Sequence, residues 1–279
     1  MVLASLVFTV MTATAKVARE ELDAVQVVCW RTLLSLPFAL AHSWAPGFKV
    51  QNPKGMIARS VLGFVAMVCF FTAAKGLSLA NLSLLSELKP LLIAVIAPIA
   101  LGAGERSSLS IWGSLFAGLV GCAVIIGPDL SIGSTFALWA LASTVFSSGA
   151  HVSVRSLGHD DARTVVFWFH ATAAVLGITT YAILHHTLLP LPPMHLWAPL
   201  LVCGVAATYG QLLMTRAYAE DKASVVAAAS YAGPLFGVAM DLIAFGTAPT
   251  VWTTLGGTLV IAAGLRALLS RSHRKGDEP

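Results

Sequence analysis

The sequence predicts an all-α polytopic membrane protein, with ten transmembrane helices arranged as two inverted five-helix repeats. The first observation is composition: 57% of the 279 residues are hydrophobic and 11% are charged, against roughly 25% charged residues in a soluble domain. The second is a set of four runs without Asp, Glu, Lys or Arg, each long enough for a membrane helix of about 17–25 residues: 107–128, 130–154, 164–215 and 242–265. The third is a weak internal repeat. Together they exclude a soluble enzyme, a disordered chain and a secreted disulfide scaffold.

Ten apolar segments follow one another with short connections, and each is predicted to form a helix. The run 164–215 is too long for one span, and three prolines between positions 190 and 193 divide it, because proline removes a helical donor and clashes with the preceding turn. The first segment contains Ala13-Thr14-Ala15, which resembles a cleavage site, but it lacks a basic leader and takes part in the repeat, so we expect a structural helix. The predicted helices span residues 2–18, 24–43, 57–76, 80–101, 109–127, 134–154, 163–185, 196–217, 223–245 and 250–269.

The two halves of the chain match at four places in order, with offsets of 135 to 144 residues. The matching positions are Thr9 to Val17 with Thr144 to Val152, Trp30-Arg31 with Phe169-His170, Ser86 and Pro90 with Ser230 and Pro234, and Gly113 and Gly121 with Gly256 and Gly264. We therefore predict a first repeat over 1–130, a second over 131–270 and a basic tail over 271–279. Because five is odd, the second copy enters the membrane from the opposite side. Inverted repeats of this kind are typical of secondary transporters, although channels and some membrane enzymes are also duplicated.

The basic residues predict that both termini lie in the cytoplasm. In this orientation twelve Lys and Arg residues fall on the cytoplasmic side and three on the outer side, a clear positive-inside bias. The cytoplasmic set is Lys49, Lys54, Arg59, Arg106, Arg155, Arg163, Arg216, Lys222, Arg266, Arg271, Arg274 and Lys275, and the outer set is Lys16, Arg19 and Lys75. Arg31 and Lys89 remain inside the apolar layer.

The chain resembles the drug/metabolite transporter superfamily, specifically its EamA-type members with two tandem five-helix repeats. The motifs that carry this resemblance are Cys29-Trp30-Arg31-Thr32-Leu33, the mid-span Pro90, the turn Gly104-Glu105-Arg106, the segment Ser230-Tyr231-Ala232-Gly233-Pro234, and the span from Gly246 to Gly257. The second half departs from the pattern at Thr247-Ala248-Pro249, where the acidic turn residue is absent. The resemblance implies a ten-helix carrier that exports amino acids, other metabolites or drugs.

Lys89 lies almost midway along the fourth predicted helix, directly before Pro90. A central Lys costs roughly 2.5–3.5 kcal/mol on the insertion scale, so it requires a partner or water, and charged groups inside the bilayer by default face the bundle interior and mark a pathway. Lys89 is therefore predicted to bind an anionic group of a substrate, such as a carboxylate. The structural alternative is an ion pair, with Asp241 a better partner than Glu87, because Glu87 is two residues away and faces the opposite side of an ideal helix.

Glu87, Arg31 and Asp241 are predicted at similar depth, about two turns below the outer surface. Burial disfavours the charged form of a carboxyl group, so Glu87 or Asp241 could carry a coupling proton. Arg31 could instead pair with a carboxylate that closes the outer gate or stabilises the fold.

Pro90 and Pro234 occupy corresponding positions in the two halves. A proline leaves the carbonyl group four residues earlier without its usual donor, and these carbonyls belong to Ser86 and Ser230. Helices interrupted at matching positions point to a transporter binding site, whereas the alternative is a tolerated kink. We expect Tyr231 to face the cavity, where Glu87 sits in the first half.

Two histidines and two tryptophans complete the candidate residues. His151 and His170 lie in the inner half of the membrane and could titrate near neutral pH or serve as hydrogen-bond partners. Trp30 and Trp168 could stack on a substrate or pack in the core.

The competing readings are a lipid flippase, a channel and an intramembrane enzyme. The one cluster that an enzyme could use, Gly158-His159-Asp160-Asp161, has no second acidic cluster to support it, and Asp160 and Asp161 are predicted to cap the seventh helix. The sequence has no nucleotide-binding motif and no metal-ligand spacing, so no cofactor or metal is expected.

The expected function is secondary transport of a small organic metabolite, an amino acid or a related solute, by alternating access in the cytoplasmic (inner) membrane. The expected partners are the substrate, the lipid bilayer and a coupling proton, without nucleic acid, and the sequence is compatible with a monomer or a homodimer.

Overall fold

The computed structural model describes residues 1–77, 85–126, 135–236, 239 and 251–275, and this part of the chain forms ten α-helices and no β-strand. We number the helices in chain order as α1 Val2–Arg19, α2 Ala24–Ser43, α3 Pro53–Ala73, α4 Lys89–Leu101, α5 Leu109–Ile126, α6 Thr135–Ser156, α7 Ala162–His185, α8 Trp197–Glu220, α9 Ala223–Ala228 and α10 Val251–Lys275. The predicted all-α fold is confirmed.

Six of the described helices are long and apolar enough to cross a membrane. They are Val2–Arg19, Ala24–Ser43, Pro53–Ala73, Thr135–Ser156, Ala162–His185 and Met194–Glu220. Four shorter apolar helices complete the set: Lys89–Leu101, Leu109–Val124, Ala223–Phe236 and Thr254–Gly264. The protein is therefore a multi-pass membrane protein.

Polar side chains define where several helices begin. Asp23 and Gln26 form a reciprocal capping box at the start of α2, and Asn52 accepts a hydrogen bond from the Gly55 backbone N–H while Pro53 occupies the first turn of α3. Asn as a cap followed by Pro is a strong start signal, because the proline lacks a donor that the first turn would leave unpaired. As a result α3 begins four residues before its predicted start at 57.

The two aspartates before α7 have different tasks. Asp161 caps the helix as predicted, accepting from the Arg163 backbone N–H at 2.8 Å. The Arg163 guanidinium also donates to this carboxylate, which holds the pKa of Asp161 below its usual value. Asp160 is instead buried and accepts from the Gln51 backbone N–H at 2.6 Å. The expectation that Asp160 also caps α7 is therefore wrong, because its side chain turns to the connection between α2 and α3.

The helices pair in a pattern that repeats between the two halves. Helix α3 packs along α6 and α1 packs along α8, while α2 contacts α7, α4 contacts α9 and α5 contacts α10. Replacing each helix by the one five positions away in the chain (α1 by α6, α3 by α8, and so on) turns the contact between α3 and α6 into the contact between α8 and α1. The same replacement leaves the other three pairs unchanged. These five pairs therefore have the pattern that a two-fold arrangement of five-helix halves would produce, whereas the contact between α4 and α6 has no counterpart of similar extent among the described residues.

Small residues allow the closest approaches between these helices. The Ser35 hydroxyl on α2 donates to the Gly204 carbonyl on α8 at 2.9 Å, and the Thr208 hydroxyl donates back to the Ser35 carbonyl at 3.3 Å. On α5, a Cβ at Gly121 would lie 2.9 Å from the Gly256 carbonyl oxygen of α10. Small residues are favoured at such contacts because they let helix backbones meet within the membrane.

The contact between α5 and α10 gives a direct test of the fold. An added Cβ at Gly121 would meet Val260 Cγ2 at 2.8 Å and the Gly256 carbonyl at 2.9 Å, whereas one at Gly113, on the same helix, meets nothing within 4 Å. We expect Gly121→Ala to lower the free energy of unfolding by about 1–3 kcal/mol through overpacking. Gly113→Ala should be neutral or stabilising by up to about 1 kcal/mol, because alanine favours a helix over glycine. Thermal unfolding of the two detergent-purified variants makes the comparison, and equal melting temperatures would contradict this packing.

Candidate functional site

The fourth predicted helix is interrupted beside its central lysine. Leu85 and Ser86 are helical, Glu87 and Leu88 form a turn, and α4 then starts at Lys89 with Pro90 in its first turn. The prediction of a continuous helix over 80–101 is therefore wrong, because proline is tolerated in the first turn of a helix but not within it. The interruption places Lys89 at a helix N-terminus, which already carries partial positive charge.

The ninth helix changes its winding at the corresponding position. Helix α9 ends at Ala228, a 3-10 turn covers Ala229–Tyr231, and helical residues resume at 232. The Ser230 hydroxyl donates to the Ala227 carbonyl at 2.7 Å, inside its own segment. Ser230 thus lies within an irregular turn, and Ser86 is the helical residue directly before one.

The two irregular segments meet in the interior, where α4 contacts α9. A Cβ added to Gly233 would lie 3.7 Å from the Glu87 Oε1 atom, so the carboxylate of the first half faces the backbone of the second. Tyr231 points elsewhere: its ring is 1% exposed and packs on Gly118, and its hydroxyl donates to the Leu115 carbonyl at 3.0 Å. The expectation that Tyr231 faces the cavity is therefore wrong, because α5 covers its ring.

Basic side chains continue from this point through the interior. Lys89 is the electrostatic neighbour of Glu87 and of His151, and His151 is in turn within reach of the charge on Arg59. His151 also contacts its own helix, through a ring nitrogen 2.6 Å from the Ser147 carbonyl, and stacks edge-on against Tyr218 at 5.4 Å between ring centroids. Lys89, His151 and Arg59 are therefore electrostatic neighbours, and we call these basic groups, with those next to them, the basic series.

Arg31 and Arg59 form the deepest part of this series, and we call them the arginine pair. Their exposed fractions are 2% and 3%, and their charges repel each other. Arg31 contacts the Met67 sulfur atom through Nη1, and Arg59 donates from Nη2 to Gln211 Oε1 at 2.6 Å. His170 is completely buried within electrostatic reach of both guanidinium groups, and neither of its ring nitrogens has a hydrogen-bond partner among the described residues.

The location of Arg59 corrects the sequence analysis. Its count among the cytoplasmic connections is wrong, because α3 begins at Pro53 and carries Arg59, which is buried, nearly two turns into the helix. The Asn52-Pro53 start signal could have revealed this. Gln211 was also missed, since an amide in an apolar helix gave no sign that it faces an arginine. The basic bias remains eleven residues against three.

The two candidate tryptophans lie apart from the basic series. The Trp30 indole donates to the Pro190 carbonyl at 3.2 Å and packs edge-on against Trp197, whereas the Trp168 indole donates to the Phe48 carbonyl at 2.8 Å. Both rings therefore anchor connections between helices. Asp241, the remaining candidate, lies outside the described residues.

A second charged cluster joins the ends of several helices. Glu105, in the turn after α4, accepts from Arg155 Nε at 2.9 Å and from the Ala223 backbone N–H at 2.9 Å. Arg155 also donates to the carbonyl groups of Tyr218 and Ala219, at the end of α8. We call this cluster the end latch, because Glu105 ties α6 to the start of α9 and Arg155 ties α6 to the end of α8.

Comparisons with known proteins agree over the whole chain. The sequence profile of the EamA-like transporter family matches residues 1–127 and 134–268. The pseudopaline exporter CntI of Pseudomonas aeruginosa is 29% identical, over 98% of this chain and 95% of that protein. An uncharacterized transporter of Helicobacter pylori is 26% identical, over 94% and 91%, and human solute carrier family 35 member G1 is 25% identical, over 91% and 74%. A protein of known crystal structure superposes with a TM-score of 0.77 at 20% identity, covering 97% of this chain and 96% of that one.

The end latch predicts which charges near the helix ends matter for stability. We expect Glu105→Gln to lower the free energy of unfolding by about 2 kcal/mol, because Arg155 loses a charged acceptor in a largely buried setting. Arg106→Gln removes an exposed charge from the next position and is the matched control. The measurement is the melting temperature of each detergent-purified variant. If the two variants unfold at the same temperature, the latch does not stabilise the bundle.

Proposed function

The chain belongs to the EamA-like transporter family, and we propose that it exports a small anionic metabolite, an amino acid or a related solute, by alternating access in the cytoplasmic membrane. Its family and its relatives are transporters rather than enzymes. Export is supported by the pseudopaline exporter, which resembles this chain over nearly its full length. The inner membrane, with both termini in the cytoplasm, is supported by the bias of basic residues.

One observation carries the choice of an anion. None of Lys89, Arg31 and Arg59 forms an ion pair with a described carboxylate, whereas the ion pairs present involve Arg155, Arg163, His185 and His195 at helix ends and connections. Apart from Glu87, the described acidic residues also lie at helix ends or in connections. Among the described residues the interior thus holds more cations than anions, which favours a negatively charged solute, because a buried charge is stable when it is paired.

The binding site in this proposal lies where the interrupted fourth and ninth helices meet. Lys89 and the N-terminus of α4 would attract a carboxylate from two sources at once, through a full charge and through the helix dipole. Discontinuous helices with this arrangement are how secondary transporters bind anionic substrate groups near the midplane. Ser86 and Ser230 would border the same space.

Glu87 is proposed as the group that couples transport to protons. Its carboxylate faces Gly233 across the contact between α4 and α9 and shares the electrostatic environment of Lys89. A proton on Glu87 would leave Lys89 free to hold the substrate carboxylate, and its loss would let Glu87 compete for Lys89. With Glu87 protonated, Lys89 would bind the substrate, and with Glu87 ionised, Lys89 would pair with Glu87 and release the substrate.

Alternating access would require the two halves to move against each other. Five of the helix pairs in the bundle are exchanged among themselves when each helix is replaced by the one five later, which supports two inverted halves, over 1–130 and 131–270. The end latch joins elements of both halves. We propose that it holds the cytoplasmic end closed and opens when substrate enters from that side.

The test is a melting-temperature screen of the detergent-purified protein with amino acids, organic anions, sugar phosphates and organic cations. A solute that binds only the folded state stabilises it by mass action, by about 2.7 kcal/mol at one hundred times its dissociation constant. We expect carboxylate-bearing solutes to raise the melting temperature of the wild type and to have no effect on Lys89→Ala. Lys54→Ala, which removes an exposed lysine from the first turn of α3, should behave as the wild type.

The same pair of variants is then compared in proteoliposomes, by exchange of the stabilising solute across the membrane. Lys89→Ala should abolish exchange, and Lys54→Ala should preserve it. Stabilisation by organic cations alone, or equal shifts in the wild type and Lys89→Ala, would overturn the assignment of Lys89 and of an anionic substrate.

A further inference from the structure

We propose that the arginine pair is a second anion-binding subsite, so that the exported solute carries two negatively charged groups, as a dicarboxylate or an acidic amino acid does. The inference rests on the proposed function, since it adds a second contact to a substrate that Lys89 binds at the other end. The juxtaposition that carries it is two fully buried guanidinium groups, on α2 and α3, with unpaired nitrogen atoms and neutral neighbours.

The immediate contacts of the pair are neutral. Arg31 contacts a thioether, Met67, and Arg59 contacts an amide, Gln211, and the face of an aromatic ring, with its Cζ atom 3.9 Å from the centroid of Phe169. The Nε atoms of both arginines have no hydrogen-bond partner among the described residues. A thioether is a weak acceptor, and neither an amide nor a ring neutralises a guanidinium group that stays charged at any physiological pH.

No described carboxylate forms an ion pair with either arginine. Cys203 acts electrostatically on Arg31, Arg31 and Tyr218 act on Arg59, and both arginines act on His170. His170 is fully buried and both of its nitrogens are unpaired among the described residues, so it has one hydrogen-bond donor that a solute could use. Several unsatisfied donors at one place form a binding site for a planar, multivalent acceptor, and a carboxylate matches the guanidinium fork.

The pair and Lys89 belong to one region of the interior. His151 on α6 is within electrostatic reach of both Lys89 and Arg59, so both cationic groups lie in the neighbourhood of this histidine. A short solute with a carboxylate at each end could therefore contact Lys89 with one end and the arginine pair with the other. A solute with a single carboxylate would leave one of the two groups without a counter-charge.

A purely structural role for the pair makes a different prediction. If the arginines only fill the core, their neutral contacts suffice, and the number of charges on the solute has no influence on how strongly it binds. If they bind the solute, a matched carboxamide must bind more weakly than the carboxylate, because the buried donors then lose a charged acceptor.

The experiment compares four pairs of solutes that differ in one group, a carboxylate or its amide: glutamate and glutamine, aspartate and asparagine, succinate and succinamate, glutarate and glutaramate. Melting temperatures of the full-length, detergent-purified protein are measured at a series of concentrations. Inorganic phosphate and chloride are measured alongside. At least one dicarboxylate should stabilise the wild type with a dissociation constant about 10- to 100-fold lower than that of its amide.

Three variants show whether this preference comes from the pair. Gln211→Glu places a carboxylate at the atom that Arg59 Nη2 contacts at 2.6 Å, so the ligand-free variant should melt at or above the wild-type temperature and lose the preference for the dicarboxylate. Arg59→Gln should lose the same preference by removing the charge. Arg106→Gln is the control, since it removes an exposed arginine, and should keep it.

The outcomes separate this inference from the proposed function. If no dicarboxylate binds more tightly than its amide, if Gln211→Glu retains the preference, or if phosphate or chloride alone reproduces the stabilisation, the subsite for a second carboxylate is overturned. In each of those cases single carboxylates that act through Lys89 would still support the proposed function. If no carboxylate of either kind stabilises the wild type, the proposed function itself fails and the inference fails with it.

Discussion

The free energy of a buried charge is the constraint on which the rest of this structure depends. In a bilayer, a charged side chain without water or a partner is strongly unfavourable, yet this bundle encloses Arg31, Arg59 and Lys89 together with two histidines. The described carboxylates that could neutralise them lie, except for Glu87, at helix ends, where Asp23, Glu105 and Asp161 cap helices or pair with cations. Among the described residues, the interior therefore carries more positive than negative charge, and this imbalance is the main support for an anionic substrate.

Interrupted helices expose backbone groups within that interior where a solute could bind. A membrane tolerates irregular backbone where protein covers it, and here the irregular points of the fourth and ninth helices lie against each other, with Glu87 close to Gly233. The interruption also changes the electrostatic setting of Lys89. In the middle of a continuous helix it would contribute only its own charge, but at the start of α4 that charge adds to the positive end of the helix dipole.

The two charged regions of the bundle have different consequences. In the end latch, Glu105 and Arg155 satisfy each other and three backbone groups, so each charge has its partners within the protein. In the arginine pair, the neighbours of the charges are neutral and several donors remain unpaired. In our proposal, the first arrangement holds one end of the bundle closed, while the second leaves buried donors that an anionic solute would pair. Transport needs both, because a carrier must bind its solute and also change the side on which its ends are closed.

The sequence by itself determined the fold class, the number and order of the apolar segments and the family, because membrane helices have to satisfy their own backbone hydrogen bonds within continuous apolar runs. It also identified Lys89, Pro90 and Pro234 as points where the regular pattern breaks. Only the tertiary structure decided which side chains face the interior. Arg59 was counted with a cytoplasmic connection, but α3 begins at Pro53 and buries it, and Tyr231 was expected to face the cavity, but α5 covers its ring. The period of a helix fixes which residues share a face, but the neighbours that pack on each face decide whether that face meets lipid, another helix or the substrate.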